Sequence, residues 1–112
     1  MAEKEAEMKS RNDEALTVIA VGDLVINRDE PETIFAKVTD VIAGGDIVVG
    51  HLEGAITDKA SYKDSAGWGP HWASPENVKG LVAGGFNVIS WASNNCLDFG
   101  PDAFLDTIEQ LR

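Results

Sequence analysis

Two stretches of the chain spell the same joint: Val41-Ile42-Ala43-Gly44-Gly45-Asp46-Ile47-Val48 and Leu81-Val82-Ala83-Gly84-Gly85-Phe86-Asn87-Val88. Each passes from apolar residues at helical spacing, through a double glycine, into a short apolar run. Glycine pairs end helices, and the runs that follow are too short to start new ones, so both joints read as helix, stop, strand. Two copies are too few for a solenoid. They instead mark a chain that alternates strand and helix, which requires a parallel sheet joined by right-handed crossovers.

The remaining elements fill in around the joints. Ala15 to Val21 is an apolar, β-rich run ended by Gly22-Asp23; Asp46 to Gly50 is a second and Phe86 to Trp91 a third. Continuous apolar runs of this kind predict strands buried on both faces. Pro31 and Glu32 suit the first turn of a helix carrying Ile34, Phe35, Val38, Val41 and Ile42. Ser74-Pro75-Glu76 repeats the signal as N-cap, first-turn proline and acidic residue, ahead of Val78, Leu81 and Val82. Gly100-Pro101-Asp102 opens a third helix with Phe104, Leu105, Ile108 and Leu111, which reaches Arg112 without a stop signal. The expected fold is therefore an α/β unit of order β-α-β-α-β-α with a parallel sheet. Three strands leave two open edges, which predicts a fragment of a larger α/β domain or an assembly, a homo-oligomer among them, that covers those edges.

Charge narrows the partners. Nine basic against nineteen acidic side chains give a formal net charge of −10 over 112 residues. Phosphate neutralisation needs clustered Lys and Arg, so a general nucleic-acid binder is excluded. The 44% hydrophobic and 25% charged fractions are those of a folded domain. Residues 1–14 read as a charged tail with neither a signal peptide nor an anchor, so a cytoplasmic product without a membrane segment is expected. The domain proper is expected over 15–112, with a long loop at 54–73.

Ligands of open α/β sheets bind beyond the carboxyl ends of the strands. There, the first strand delivers Asp23, the second His51 and Glu53, and the third Ser93, Asn94, Asn95 and Asp98. Carboxylates, carboxamides and an imidazole without thiolate suit Mg²⁺, Mn²⁺ or Zn²⁺, and the carboxylates repel one another unless a cation lies between them. Asp98 reads as a cap of the turn into the last helix or as support for a ligand residue, and Arg28 as a solvated loop charge or a contact for an oxyanion. Cys96 reads as a small apolar residue rather than a nucleophile. The aromatics Tyr62, Trp68 and Trp72, with His71, either pin the long loop to the sheet or form a flap over the rim.

Four ordered segments also carry a family resemblance: Val21-Gly22-Asp23-Leu24, Gly50-His51-Leu52-Glu53-Gly54, Gly84-Gly85-Phe86-Asn87-Val88-Ile89-Ser90, and Ala92-Ser93-Asn94-Asn95-Cys96-Leu97-Asp98-Phe99-Gly100. They resemble the bacterial capsule-synthesis CapA-like family, associated with poly-γ-glutamate synthesis, from about Leu16 to Arg112. That pattern has a strand ending Gly-Asp, then Asn-Leu-Glu-Gly, then Gly-Phe-Asp-Val and Ala-Asn-Asn-His before Asp, an aromatic and Gly. The resemblance implies half of a calcineurin-type, metallophosphoesterase-like layered fold. It implies Asp23, Glu53 and Asn94 as ligands of a divalent metal, and a hydrolase acting on a phosphorylated or polyglutamate-related small molecule or polymer. His51 stands where the family has Asn, and Asn95 stands where it has His. A carboxamide cannot serve as the general acid that this histidine is expected to be, so His51 is expected to take over catalysis with Asn95 as a hydrogen-bond donor. The alternative is a truncated or degenerate, non-catalytic copy that acts as a binding module.

Overall fold

The computed structural model describes residues 15–61 and 72–112; the expected 1–14 tail and Tyr62, Trp68 and His71 lie outside them. Three parallel strands form the main sheet in the order β1 (Val18–Leu24), β2 (Ile47–Leu52), β5 (Val88–Ser90). The parallel α/β expectation therefore holds. A second pair, β3 (Ala55–Ile56) and β4 (Trp72–Ala73), is also parallel. It begins and ends the segment expected as a loop over 54–73.

Strand order explains the largest departure from expectation. Because β1, β2 and β5 follow one another across the sheet, crossovers of one hand must both return on the same face. The two connections do meet there. Phe35 and Phe86 pack edge to face at 5.0 Å. A Cβ built on Gly80 would lie 2.7 Å from the Pro31 carbonyl oxygen, so these two segments touch backbone to backbone. On this packed face Val48, Gly50 and Leu52 of β2 are buried, with Leu24 of β1 beside them. Gly50 is needed there, since a Cβ would fall 2.3 Å from Leu24 Cδ1 and 3.1 Å from the Phe86 ring. The opposite face is open: Val18 is 59% and Val88 46% exposed, with Ile47 and Val49 half-buried between them. The expectation of strands buried on both faces is thus corrected, because both covering segments sit on one side.

The first connection is also not the single helix expected from Pro31. It begins as a 3-10 turn at Pro31–Thr33 and becomes α-helical only in α1 (Thr39–Ile42). Its backbone bonds mix three-residue and four-residue spacing, as in Val38 N–H to the Phe35 carbonyl and Ala43 N–H to that of Thr39. Thr39 Oγ1 donates back to the Phe35 carbonyl at 2.8 Å, and β-branched Val38, Thr39, Val41 and Ile42 disfavour regular winding.

The second connection is a 3-10 turn at Pro75–Asn77 running into α2 (Val78–Gly84), closed by Gly85 at φ +87° with Phe86 N–H on the Leu81 carbonyl. The glycine stop is as expected. Ser74, however, makes no side-chain cap bond; Asn77 Nδ2 donates to the Ser74 carbonyl and hydroxyl, and Asn77 Oδ1 accepts the Arg28 N–H at 3.0 Å. Arg28 is exposed, its guanidinium donating to Thr33 Oγ1. The third helix, α3 (Pro101–Gln110), starts where expected, after Gly100 at φ +92°. Its N-cap is Gly100, and the turn ahead of it is made by backbone bonds, Asp98 N–H to the Asn95 carbonyl and Gly100 N–H to that of Leu97, in place of the side-chain cap expected of Asp98.

Helix α3 packs on the β3–β4 pair through a buried polar knot. Thr57 Oγ1 donates to Asp106 Oδ2 at 2.7 Å, Lys59 Nζ lies 3.3 Å from Asp106 Oδ1, and Thr107 Oγ1 accepts the Ile56 N–H. Around it Trp91 stacks on Phe104 at 6.3 Å. Cys96 and Trp72 are partly buried against the same core, as the apolar reading of Cys96 requires. Among the described residues no helix is long and apolar enough to cross a membrane.

Candidate functional site

The site begins with an irregularity in β1. Val18, Ile19 and Ala20 pair with Ile47, Val48 and Val49, but the next partners are Asp23 with His51 and Leu24 with Leu52. Three steps along β1 match two along β2, so Val21-Gly22 holds one extra residue, a β-bulge. A shift of one residue exchanges the faces of a strand. Without the bulge, Asp23 would stand beside Leu52 on the packed face. With it, Leu24 joins the core and Asp23 comes onto the open face beside His51. Strand β1 accordingly runs on through Gly22 to Leu24, past the end expected at Val21.

On β5, Ser90 is the partner of His51. Asp23, His51 and Ser90 therefore form one row across three strands, at the carboxyl end of the sheet. Glu53 follows His51 by two residues and so points to the same side; its N–H bonds to the Leu24 carbonyl at 3.0 Å and extends the ladder past β2.

Distances define what the row can do. His51 Nε2 lies 4.0 Å from Asp23 Oδ1 and 3.8 Å from Glu53 Oε2. Both are beyond hydrogen-bond range. One ligand atom from each of the three residues lies within 4.8 Å of the others. On the far side of the ring, His51 Nδ1 is 3.3 Å from Ser90 Oγ. Asp23 is largely exposed, while His51 and Glu53 keep 29% and 20% of their side-chain surface, leaving the gap between them open on the Asp23 side.

Glu53 is held by the loop after β5. Ser93 Oγ donates to the Glu53 carbonyl and is 3.4 Å from Oε2, and Asn95 Nδ2 donates to Oε1 at 2.5 Å. Ser93 Oγ also accepts the Asn95 N–H at 3.0 Å, which fixes the loop. Asn94 is exposed, and its Oδ1 meets Asn95 Nδ2 at 3.4 Å, so it reaches the carboxylates only through Asn95. The structure thus brings Asp23, His51, Glu53 and Asn95 together and leaves Asn94 one step outside. Ser90 is the contact that reading along the chain missed; its signal is a cross-strand register.

A carboxylate pair and an imidazole with a gap among them fit a divalent cation, since the donor set is oxygen and nitrogen and the ligand atoms converge from two neighbouring strand ends. Asp23, His51 and Glu53 would hold such an ion by drawing together from their present separations of up to 4.8 Å.

Comparison with known proteins points to the family that the motifs resemble. The family model described as "Bacterial capsule synthesis protein PGA_cap" matches residues 17–112. The capsule biosynthesis protein CapA of Bacillus anthracis is 29% identical over 117 aligned positions, covering 96% of this chain and 28% of that protein. The PGA biosynthesis protein CapA of Bacillus subtilis is 27% identical over 109, covering 90% and 29%. An uncharacterized protein of Sinorhizobium fredii, y4sH, is 28% identical over 101, covering 84% and 22%. The chain spans less than a third of the length of these relatives. With the family model matching nearly all of the residues from the first strand to the last helix, the chain belongs to the bacterial capsule synthesis protein family.

Proposed function

We propose that this chain contributes to capsule or poly-γ-glutamate synthesis as part of a metal-dependent, phosphoesterase-type hydrolase. The observation that carries the reading is the convergence of Asp23, His51 and Glu53 within 4.8 Å at the carboxyl ends of adjacent parallel strands. Two CapA relatives are named for capsule and PGA biosynthesis, which supplies the biological setting. The open sheet face, with exposed Val18 and Val88, supports a layered metallophosphoesterase-like fold in which further chain covers that side.

A bound divalent ion would polarise a phosphoryl oxygen and lower the pKa of a bound water. The chain's own groups divide the remaining tasks. Asp23 and Glu53 hold the ion, Ser93 and Asn95 fix the Glu53 carboxylate, and the exposed Asn94 carboxamide offers an oxygen on the solvent side. Asn95 spends its amide hydrogens on Glu53 and Asn94. This favours one second reading: a copy that binds the ion and a partner without turning substrate over.

Calorimetric titration of the 112-residue chain with Mn²⁺ and Zn²⁺, alongside a phosphatase assay, separates the two. Binding with metal-dependent phosphate release supports the hydrolase. Binding without release supports the binding copy. A folded sample that takes up neither ion sinks both.

A further inference from the structure

We infer that His51 is a metal ligand of this chain through Nε2, oriented by Ser90, and that it biases the site toward ions that favour imidazole, Zn²⁺ over Mg²⁺. The inference rests on the proposed ion at Asp23 and Glu53 and concerns how this chain departs from the family pattern, in which an asparagine precedes Leu-Glu.

The geometry decides between the two uses of the imidazole. Nε2 faces both carboxylates at 3.8 and 4.0 Å, too far for an N–H on that nitrogen to bond to either. A proton there would be left facing a gap. A lone pair there, facing the same gap, completes a set of three donors for a cation. Which form is present depends on the other nitrogen. Nδ1 lies 3.3 Å from Ser90 Oγ, and a serine hydroxyl can accept as readily as donate. With Nδ1–H donating to Ser90 Oγ, Nε2 carries the lone pair. Histidine ligands commonly donate their second N–H to a fixed acceptor in this way, and losing the acceptor typically costs 10–100-fold in metal affinity.

This contact is built into the sheet. His51 and Ser90 are register partners on β2 and β5, as Asp23 and His51 are on β1 and β2. The ring is thus held between an acceptor on one neighbouring strand and a carboxylate on the other, with Glu53 beyond it on its own strand. Mg²⁺ takes oxygen donors and keeps several waters, whereas Zn²⁺ takes imidazole readily. A nitrogen donor in place of a carboxamide therefore shifts preference toward Zn²⁺. Because both carboxylates remain in either case, the effect is on the ratio of the two affinities.

The test is a pair of calorimetric titrations, with Zn²⁺ alone and Mg²⁺ alone, on the full 112-residue chain and on His51→Asn, His51→Gln, Ser90→Ala and Ser90→Thr. The expected result is a Zn²⁺/Mg²⁺ affinity ratio that falls at least about tenfold in both His51 variants and in Ser90→Ala, with recovery in Ser90→Thr. The ratio is read within each folded variant, so a general loss of stability does not imitate it. Nitrogen-15 NMR of His51 should show the Nδ1–H tautomer, with the Nε2 signal shifting on Zn²⁺ addition. If the wild-type chain binds neither ion, the proposed ion site itself fails, and this inference with it. If it binds both, and His51→Asn and His51→Gln leave the ratio unchanged, His51 is no ligand and only the inference fails. A ratio that drops in Ser90→Ala and stays low in Ser90→Thr overturns the role given to Ser90.

Discussion

Two polar clusters among the described residues, the knot and the rim, are built to opposite rules. In the knot between α3 and the β3–β4 pair, Thr57, Asp106 and Thr107 are buried and matched at hydrogen-bond distance, with Thr57 Oγ1 on Asp106 at 2.7 Å and Thr107 Oγ1 on the Ala103 carbonyl at 2.8 Å. At the rim, Asp23, His51 and Glu53 converge, but His51 Nε2 stops 4.0 Å from the Asp23 carboxylate and 3.8 Å from that of Glu53. A closed cluster stabilises a fold, because buried polar groups cost free energy unless they are paired. An open one leaves room for something else. The contrast suggests a way of telling a structural cluster from a binding one: whether its members satisfy each other or surround a gap.

The sharpest way to break that contrast is to exchange the outcomes of two carboxylate substitutions. Glu53→Gln should lower Zn²⁺ affinity by about a hundredfold or more, equivalent to about 2.7 kcal/mol, while shifting the urea midpoint little. Asp106→Ala should do the reverse, costing about 2–3 kcal/mol of stability because the Thr57 hydroxyl is left buried without its acceptor, with Zn²⁺ affinity intact. A hundredfold loss of affinity in Asp106→Ala would erase the distinction.

The knot also predicts a pH dependence. The Thr57 hydroxyl holds the Asp106 carboxyl below its ordinary value of 3.8; Lys59 and Gln110 add to this, and burial opposes it. A carboxylate whose pKa is depressed in the folded state contributes stability above its unfolded pKa and loses it as pH falls through the folded value. Urea midpoints should therefore drop below about pH 4 in the wild type, and Asp106→Asn should remove that part of the drop. An identical acid profile in the variant would contradict the assignment.

Two glycines sharpen the comparison on a smaller scale. Gly50→Ala should cost about 1–3 kcal/mol through overpacking, because its Cβ would meet Leu24 and Phe86. Gly22→Ala, in the bulge, should change stability by less than about 0.5 kcal/mol, since nothing lies within 4 Å of a Cβ there and the φ is not positive. Thermal denaturation of the two variants side by side checks both. A large effect at Gly22 would mean that the bulge depends on glycine itself.

Much of the fold was legible because its signals are local. The double-glycine joints at Gly44-Gly45 and Gly84-Gly85 marked the ends of both connections, and the apolar runs marked three strands that the structure pairs in parallel. The open face was not legible, because which side a crossover returns on depends on the order in which strands pair. The bulge at Val21-Gly22 was hidden for a similar reason: Gly22-Asp23 read as the end of the strand, and only the register of β1 on β2 shows that the strand continues and that Asp23 changes face. At the site, Asp23, His51 and Glu53 could be read from their strand-end positions, whereas Ser90 lies thirty-nine residues from His51 and is joined to it only by pairing.

Crystals of the chain soaked in Mn²⁺ and examined by anomalous diffraction test the central claim most directly. The account predicts one strong peak enclosed by Asp23 and Glu53 carboxylate oxygens and His51 Nε2. A map with no peak there, while Asp23, His51 and Glu53 keep the row described above, would contradict it.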